Sequence, residues 1–260
     1  MRSLTQRESL IFAGLYLSKF DAEGLTRLGF ASFTEAFNAI GLSLKGRPAS
    51  LKNYRDEFDP FFPNARLGWH KRPLRKYCEA VYEEFGKLEI EEFARLLQPL
   101  VYGIPTVEGL EDIDLEPPAT DEPTSFAKRL ITGAAAEGYF EQVFSRIEPF
   151  RDCEFVNTTR IGCGFDYKIT TPQNSDFLAV EVKGMSGISG SVMLTEKEHQ
   201  VADRLRARYF LFVARNFAEE PFHTIYRNPL GCGLAITPRR RTVQLTSWHI
   251  PIIDGAKRGE

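Results

Sequence analysis

A chain of 260 residues with 43% hydrophobic and 26% charged residues has the make-up of an ordinary folded protein, which excludes a mostly disordered chain, collagen and a coiled-coil rod. It is long enough for one or two domains, and no run of about 18 apolar residues is present, so no membrane-spanning helix is expected. The net charge is only −2, the N-terminus meets charge too early for a secretory signal, and Cys78, Cys153, Cys163 and Cys232 are scattered without a Cys-x-x-Cys pair; these features point to a reducing cytoplasm, with neither a disulfide framework nor a zinc site.

In chain order, Thr5 and Glu8 fit a capping box that opens a first helix carrying Leu10, Ala13 and Leu17 at helical spacing. A short second helix is expected at 22–28. Ser32 and Glu35 repeat the capping pattern ahead of a helix to about Ile40, with Gly41 as its C-cap. Further helices are expected at about Pro48–Phe58, 71–86 and 89–101, which makes residues 1–104 an all-helical domain. Within it, Lys45–Lys76 holds nine basic residues against three acidic ones, with Tyr54, Phe58, Phe61, Phe62 and Trp69 interleaved. Basic charge among aromatics suits a phosphate-facing surface, and Lys45, Arg47, Lys52, Asn53, Arg55, Arg66, Lys71 and Arg72 are its candidate contacts to DNA. A solvated face beside a small aromatic core is the other reading.

Residues 105–125 carry seven acidic residues and no basic one, together with Pro105, Pro117, Pro118 and Pro123. They read as an acidic linker or strap between two domains, able to lie over a basic groove. From residue 126 the pattern changes. A helix over 124–147 precedes strands at Cys153–Thr159, Gly164–Thr170 and Phe177–Lys183. A Gly/Ser-rich loop covers Gly184–Ser191, a helix covers Thr195–Arg206 with Glu198 completing a capping box, and Tyr209–Val213 is an apolar run that suits a central strand. More strands are expected at 222–227, 233–237 and 242–249, with Arg239 and Arg240 at a hairpin tip. The fold class is therefore α/β, a mixed sheet flanked by helices over 126–260, next to a separate helical domain.

The strand Phe177–Lys183 is apolar until its end. Side chains alternate along a strand, so Glu181 and Lys183 share one side while Val180 and Val182 point into packing. A hairpin through Thr171–Ser175 would set Asp166 beside Glu181. Two acids and an amine at the end of a buried strand suit metal-assisted hydrolysis: carboxylates hold a hard cation and the amine stands near the water that the cation acidifies. A surface salt bridge and a turn aspartate are the competing explanations. No histidine of His70, His199, His223 and His249 has metal-binding spacing, and no phosphate-cradling Gly-Lys-Ser/Thr is present, so no nucleotide cofactor is expected.

Gly164-Phe165-Asp166-Tyr167 with Val180-Glu181-Val182-Lys183-Gly184 resembles the PD-(D/E)xK nuclease superfamily, with Phe165 where the motif name has proline. More narrowly, Gly133 with Glu137 in the preceding helix, Glu181-Val182-Lys183-Gly184, Leu194-Thr195 with Glu198, and Tyr209 with Leu211 and Val213 resemble the NO VEIN C-terminal nuclease-like domains over about 126–215. The helical part, through Leu28-Gly29-Phe30, Leu51–Asp59 and Gly68-Trp69, is similar to a module that stands ahead of nuclease domains in restriction-type proteins.

The resemblance implies a restriction-endonuclease-like fold and a type II-like, Mg²⁺-dependent endonuclease on double-stranded DNA, leaving 5′-phosphate and 3′-hydroxyl ends. Asp166 and Glu181 would hold one or two Mg²⁺ ions, with the Val182 carbonyl as an extra ligand. Lys183 would orient or activate the attacking water, and Glu137 would add a helix acid. Ser186, Ser189, Arg239 and Arg240 join the candidate DNA contacts. Cutting both strands favours a homodimer. A modification-dependent or repair nuclease, and a non-cleaving DNA-binding protein of nuclease fold, are the alternatives.

Overall fold

The computed structural model describes residues 2–66, 68, 72–102, 123–171, 174–240 and 249–250. The helical part comprises α1 (Gln6–Arg27), α2 (Phe33–Ser43), α3 (Pro48–Phe58), α4 (Lys76–Phe85) and α5 (Ile90–Val101). Then come α6 (Pro123–Val143), β1 (Glu154–Asn157), β2 (Tyr167–Thr171), β3 (Asn174–Gly184), α7 (Glu196–Leu205), β4 (Tyr209–Arg215) and β5 (Phe222–Arg227). The five strands lie in sequence order in one sheet, antiparallel except for the parallel β3–β4 pair, whose connection is α7. The fold is the expected mixed α/β arrangement preceded by helices. The acidic stretch lies outside the described residues from 105 to 122, as do Lys71 and Trp69.

Local chemistry explains most boundaries. Thr5–Glu8 and Thr195–Glu198 are both complete capping boxes. The break expected before residue 22 falls at Asp21, a non-helical residue (φ 46°, ψ −125°) inside α1. Gly41 is not a C-cap, because α2 continues through it to Ser43. The left-handed position that ends the helix comes later, at Lys45 (φ 56°), where Lys45 N–H donates to the Leu42 carbonyl at 2.8 Å and Gly46 N–H to the Gly41 carbonyl at 2.8 Å. That is a Schellman ending with lysine where glycine is usual. The helix expected from 71 begins only at Lys76. Pro73 disfavours a helical conformation before it, and the Arg75 N–H is satisfied by Glu57 at 2.8 Å instead of by a preceding turn.

The expected strand at 233–237 does not form. Residues 234–240 are irregular, and Leu234 and Ile236 are exposed, so their alternation is not buried against the described residues. The rest of the hairpin tip expected to carry Arg239 and Arg240, from Arg241 on, lies outside the described residues, as does the strand expected at 242–249 except for its last position, which is irregular; the Arg239 and Arg240 side chains are exposed.

The sheet is covered on both faces. On one side Phe140 of α6 meets Tyr167 at 4.6 Å and Phe212 at 5.0 Å between ring centroids. On the other, Ala202 of α7 packs with Ala179 and Tyr209. β4 is buried from Tyr209 to Ala214, as a central strand between two layers should be. The helical part joins the same main core as α6 and the sheet. α2 lies close along α6: a Cβ on Gly138 would run into the Leu42 carbonyl, so glycine sets this approach. Asn38 on α2 then donates to the Phe217 carbonyl at 2.9 Å and the Glu219 carbonyl at 2.6 Å, just past β4.

Candidate active site

The strand alternation places the acids and the amine as the sequence predicts. Val180 and Val182 are buried in the main core, and Glu181 and Lys183 turn toward α7. Tyr167 pairs with Val180, so Asp166, one residue earlier, falls opposite Glu181. Two hydrogen bonds fix it there: Asp166 N–H donates to the Val180 carbonyl at 3.0 Å, and Asp166 Oδ2 accepts from Val182 N–H at 2.9 Å. Gly164 (φ 94°) turns the chain into this position directly under α7, where a side chain would strike Val201.

Lys183 Nζ lies 2.5 Å from Glu181 Oε1 and 2.9 Å from Glu198 Oε2. Glu198 uses the same oxygen to accept from Thr195 N–H at 2.9 Å, so one carboxylate both caps α7 and holds the lysine. Glu181 is only 2% exposed. It opens with Asp166, Glu198, Gly164 and Thr159 onto a cleft of about 210 Å³.

The electrostatics follow from crowding acids in a buried place. Burial, then the neighbouring Asp166, pushes Glu181 up to about 8; Lys183 only partly opposes this. Burial also raises Asp166, against the Val182 N–H and Lys183. Glu137 on α6 is pushed up to about 7, by burial first and then by Asp166 and Glu141. Burial works to discharge Lys183, but Glu181 and Glu198 outweigh it and hold the ammonium above its usual range. Glu198 shows the reverse balance: burial would raise it, yet Lys183 and the Thr195 N–H keep it low. The buried set thus has more carboxylates than Lys183, the lysine paired with it, neutralises, which is the condition a divalent cation relieves. Among the described residues no three His, Cys, Asp or Glu side chains converge as a ready-made cation cage. Two carboxylates completed by water and a substrate phosphate are the customary setting for Mg²⁺, so the donor set fits that ion.

A pH dependence follows. Glu137 and Glu181 have folded-state values above their unfolded ones, so in chelator their contribution to stability is complete below the ordinary carboxylate range and is lost as pH rises through about 7 and about 8. Between pH 6 and pH 8.5, Glu181→Gln should lose less of its urea midpoint than the wild type. Equal losses would show that Glu181 ionises without penalty.

The basic stretch divides differently from its reading as one surface. Arg55 is 6% exposed, bonded to Asp56 at 2.8 Å and stacked over Phe33 and Phe37. Arg66 bonds Asp59 at 2.9 Å and Asp21 at 2.5 Å, and Arg75 is held by Glu57. Arg55 and Arg66 are therefore held by acids within the helical part. Lys52, Asn53, Arg47 and Arg72 are exposed, Lys52 pairing with Asp56 at 2.6 Å, and Lys45 is exposed beside Glu141 at 2.7 Å. In the loop after β3, Ser189 is exposed, whereas Ser186 donates to Glu35 of α2, which also pairs with Lys128 at 2.7 Å. Glu35 accepts from Ala31 N–H and not from Ser32, so its capping box is only half made.

Sequence reasoning misses two of these roles. It explains Glu198 by its cap alone, and Glu35 by a box that the side chain does not complete. A parallel β3–β4 pair obliges α7 to cross the face that carries Glu181 and Lys183, and that rule is the available signal for Glu198.

Fold and site together define an α/β sheet domain with a buried acid–lysine cluster at a cleft. Residues 136–226 match the family described as Protein NO VEIN, C-terminal. The match runs from within α6 to β5 and contains Glu137, Asp166, Glu181, Lys183 and Glu198; the helices of 6–101 lie outside it. No curated protein and no solved structure matches the chain. No helix among the described residues is long and apolar enough to cross a membrane.

Proposed function

We propose that this chain is a Mg²⁺-dependent endonuclease of restriction type that hydrolyses phosphodiesters of double-stranded DNA to 5′-phosphate and 3′-hydroxyl ends. The observation that carries this reading is that Asp166 and Glu181 open onto one cleft while Lys183 is ion-paired to Glu181, in a segment that matches the NO VEIN C-terminal family. Asp166 and Glu181 would hold one or two Mg²⁺ ions, with the Val182 carbonyl as a further ligand. The ion supplies charge neutralisation at the phosphate and an acidified water.

The protein's own contribution is positional. Because Lys183 stays charged, it acts as a fixed cation and not as a base: it orients the attacking water and offsets the charge that grows on the phosphate. Glu137, neutral or charged near pH 7, is suited to exchange a proton at the edge of the cluster. Lys45, Arg47, Lys52, Asn53, Arg72, Ser189, Arg239 and Arg240 remain the exposed candidates for contact with DNA. Cutting both strands calls for two such sites, which a homodimer supplies. A cytoplasmic setting belongs to the same proposal.

Plasmid DNA incubated with the purified chain and Mg²⁺ should give discrete fragments, and chelator should stop the reaction. Cutting of methylated DNA alone would replace the restriction reading with a modification-dependent one. Binding without cutting on every substrate would leave a DNA-binding protein.

A further inference from the structure

Between the helical part and the sheet lies a groove of about 560 Å³, separate from the acid–lysine cleft. Its polar lining is Lys45 and Arg47 from the turn between α2 and α3, and Tyr139, Gln142 and Arg146 from the end of α6 and just beyond it. The turn is held from two sides. Gln6 Nε2 donates to the Lys45 carbonyl at 2.6 Å, and Gln142 Nε2 donates to the Gly46 carbonyl at 3.1 Å. These bonds support Lys45 in its left-handed conformation, an arrangement that a non-glycine residue keeps only where its surroundings impose it.

The charge here is unbalanced. Lys45 pairs with Glu141, but Arg47 and Arg146 are exposed and form no ion pair with a described residue. Three cations against one acid leave the groove positive. Its α6 wall is tied to the sheet, since Glu141 accepts from Tyr167 OH at 3.1 Å, and Glu137 stands one turn before Glu141. By contrast, Arg55, Arg66 and Arg75 are tied to acids within the helical part.

We propose that this groove binds the phosphodiester backbone of the nucleic acid, with Arg47 and Arg146 as its phosphate contacts; the inference rests on the nuclease reading for the identity of the ligand. Arg146 is the new residue. It lies outside the basic stretch of the helical part, and it makes the contact surface a joint product of the two halves of the chain.

The test uses the full chain, a short labelled DNA duplex and chelator, with affinity followed across a salt series. Arg47→Gln with Arg146→Gln should weaken binding by about tenfold or more at fixed salt. It should also reduce the slope of log affinity against log salt by about 2, near 0.9 for each phosphate that is no longer neutralised. Arg47→Lys with Arg146→Lys should stay near the wild type, since charge is kept. Both arginines are exposed, and an unchanged melting temperature would confirm the fold. An unchanged affinity or an unchanged slope in the glutamine pair would overturn the proposal. Binding is read without metal, so a chain that binds as expected but never cuts would sink the nuclease reading and leave the groove standing.

Discussion

Lys183→Ala should abolish cleavage, by about 10³-fold or more, while duplex binding in chelator stays close to that of the wild type. Lys183 Nζ lies within 3 Å of both Glu181 and Glu198, and it is the only cation that touches this buried set among the described residues. Removing it would withdraw the positive charge that the proposed mechanism sets against the phosphate. It also raises Glu181 further, because Lys183 is what opposes burial and Asp166 there. The second effect weakens cation binding and would imitate the first, so cleavage should be measured in single turnover across a Mg²⁺ series. A loss that persists at saturating Mg²⁺ places Lys183 at the phosphate. A loss that saturating Mg²⁺ repairs restricts it to supporting the ion. Full cutting by Lys183→Ala would remove it from the mechanism. Lys183→Met, which keeps the length of the side chain without its charge, guards against a packing artefact.

Much of this site is legible in the sequence because a strand is a simple ruler. Seven residues, Phe177 to Lys183, alternate between core and cleft, and one hairpin brings Asp166 across; both statements need only period two and a turn. The helices are legible where caps announce them, at Thr5, Pro48 and Thr195. What fails needs information about partners. The basic stretch has a net charge, but a net charge does not say that Asp59, 1% exposed, sits inside and draws in Arg66 and Arg55. Gly41 resembles a helix end because glycine is the usual left-handed residue, whereas packing against the Pro48 backbone uses its small size within α2 and passes the turn to Lys45. The alternation at 233–237 is real as a pattern, but a pattern alone does not supply the cross-strand and same-face neighbours that stabilise a strand.

Glu198 provides the sharpest separation between a structural and a functional carboxylate. Its side chain caps α7 and holds Lys183 through one oxygen, so deletion would confuse the two roles. Glutamine suits the same position of a capping box. Glu198→Gln should therefore keep the helix start and the melting temperature, yet replace a charge-assisted bond to Lys183 with a neutral one. That difference is about 1.5–2 kcal/mol, which is about 10- to 30-fold in cleavage rate if Lys183 must be held in place. Thr195→Ala makes the complementary cut. It removes the hydroxyl that accepts from Glu198 N–H, costs about 1 kcal/mol of stability, and leaves the carboxylate on Lys183, so cleavage at a permissive temperature should be nearly unchanged. If instead Glu198→Gln cuts at the wild-type rate while Thr195→Ala loses both stability and activity, the carboxylate is a cap and nothing more, and the orientation of Lys183 depends on Glu181 alone.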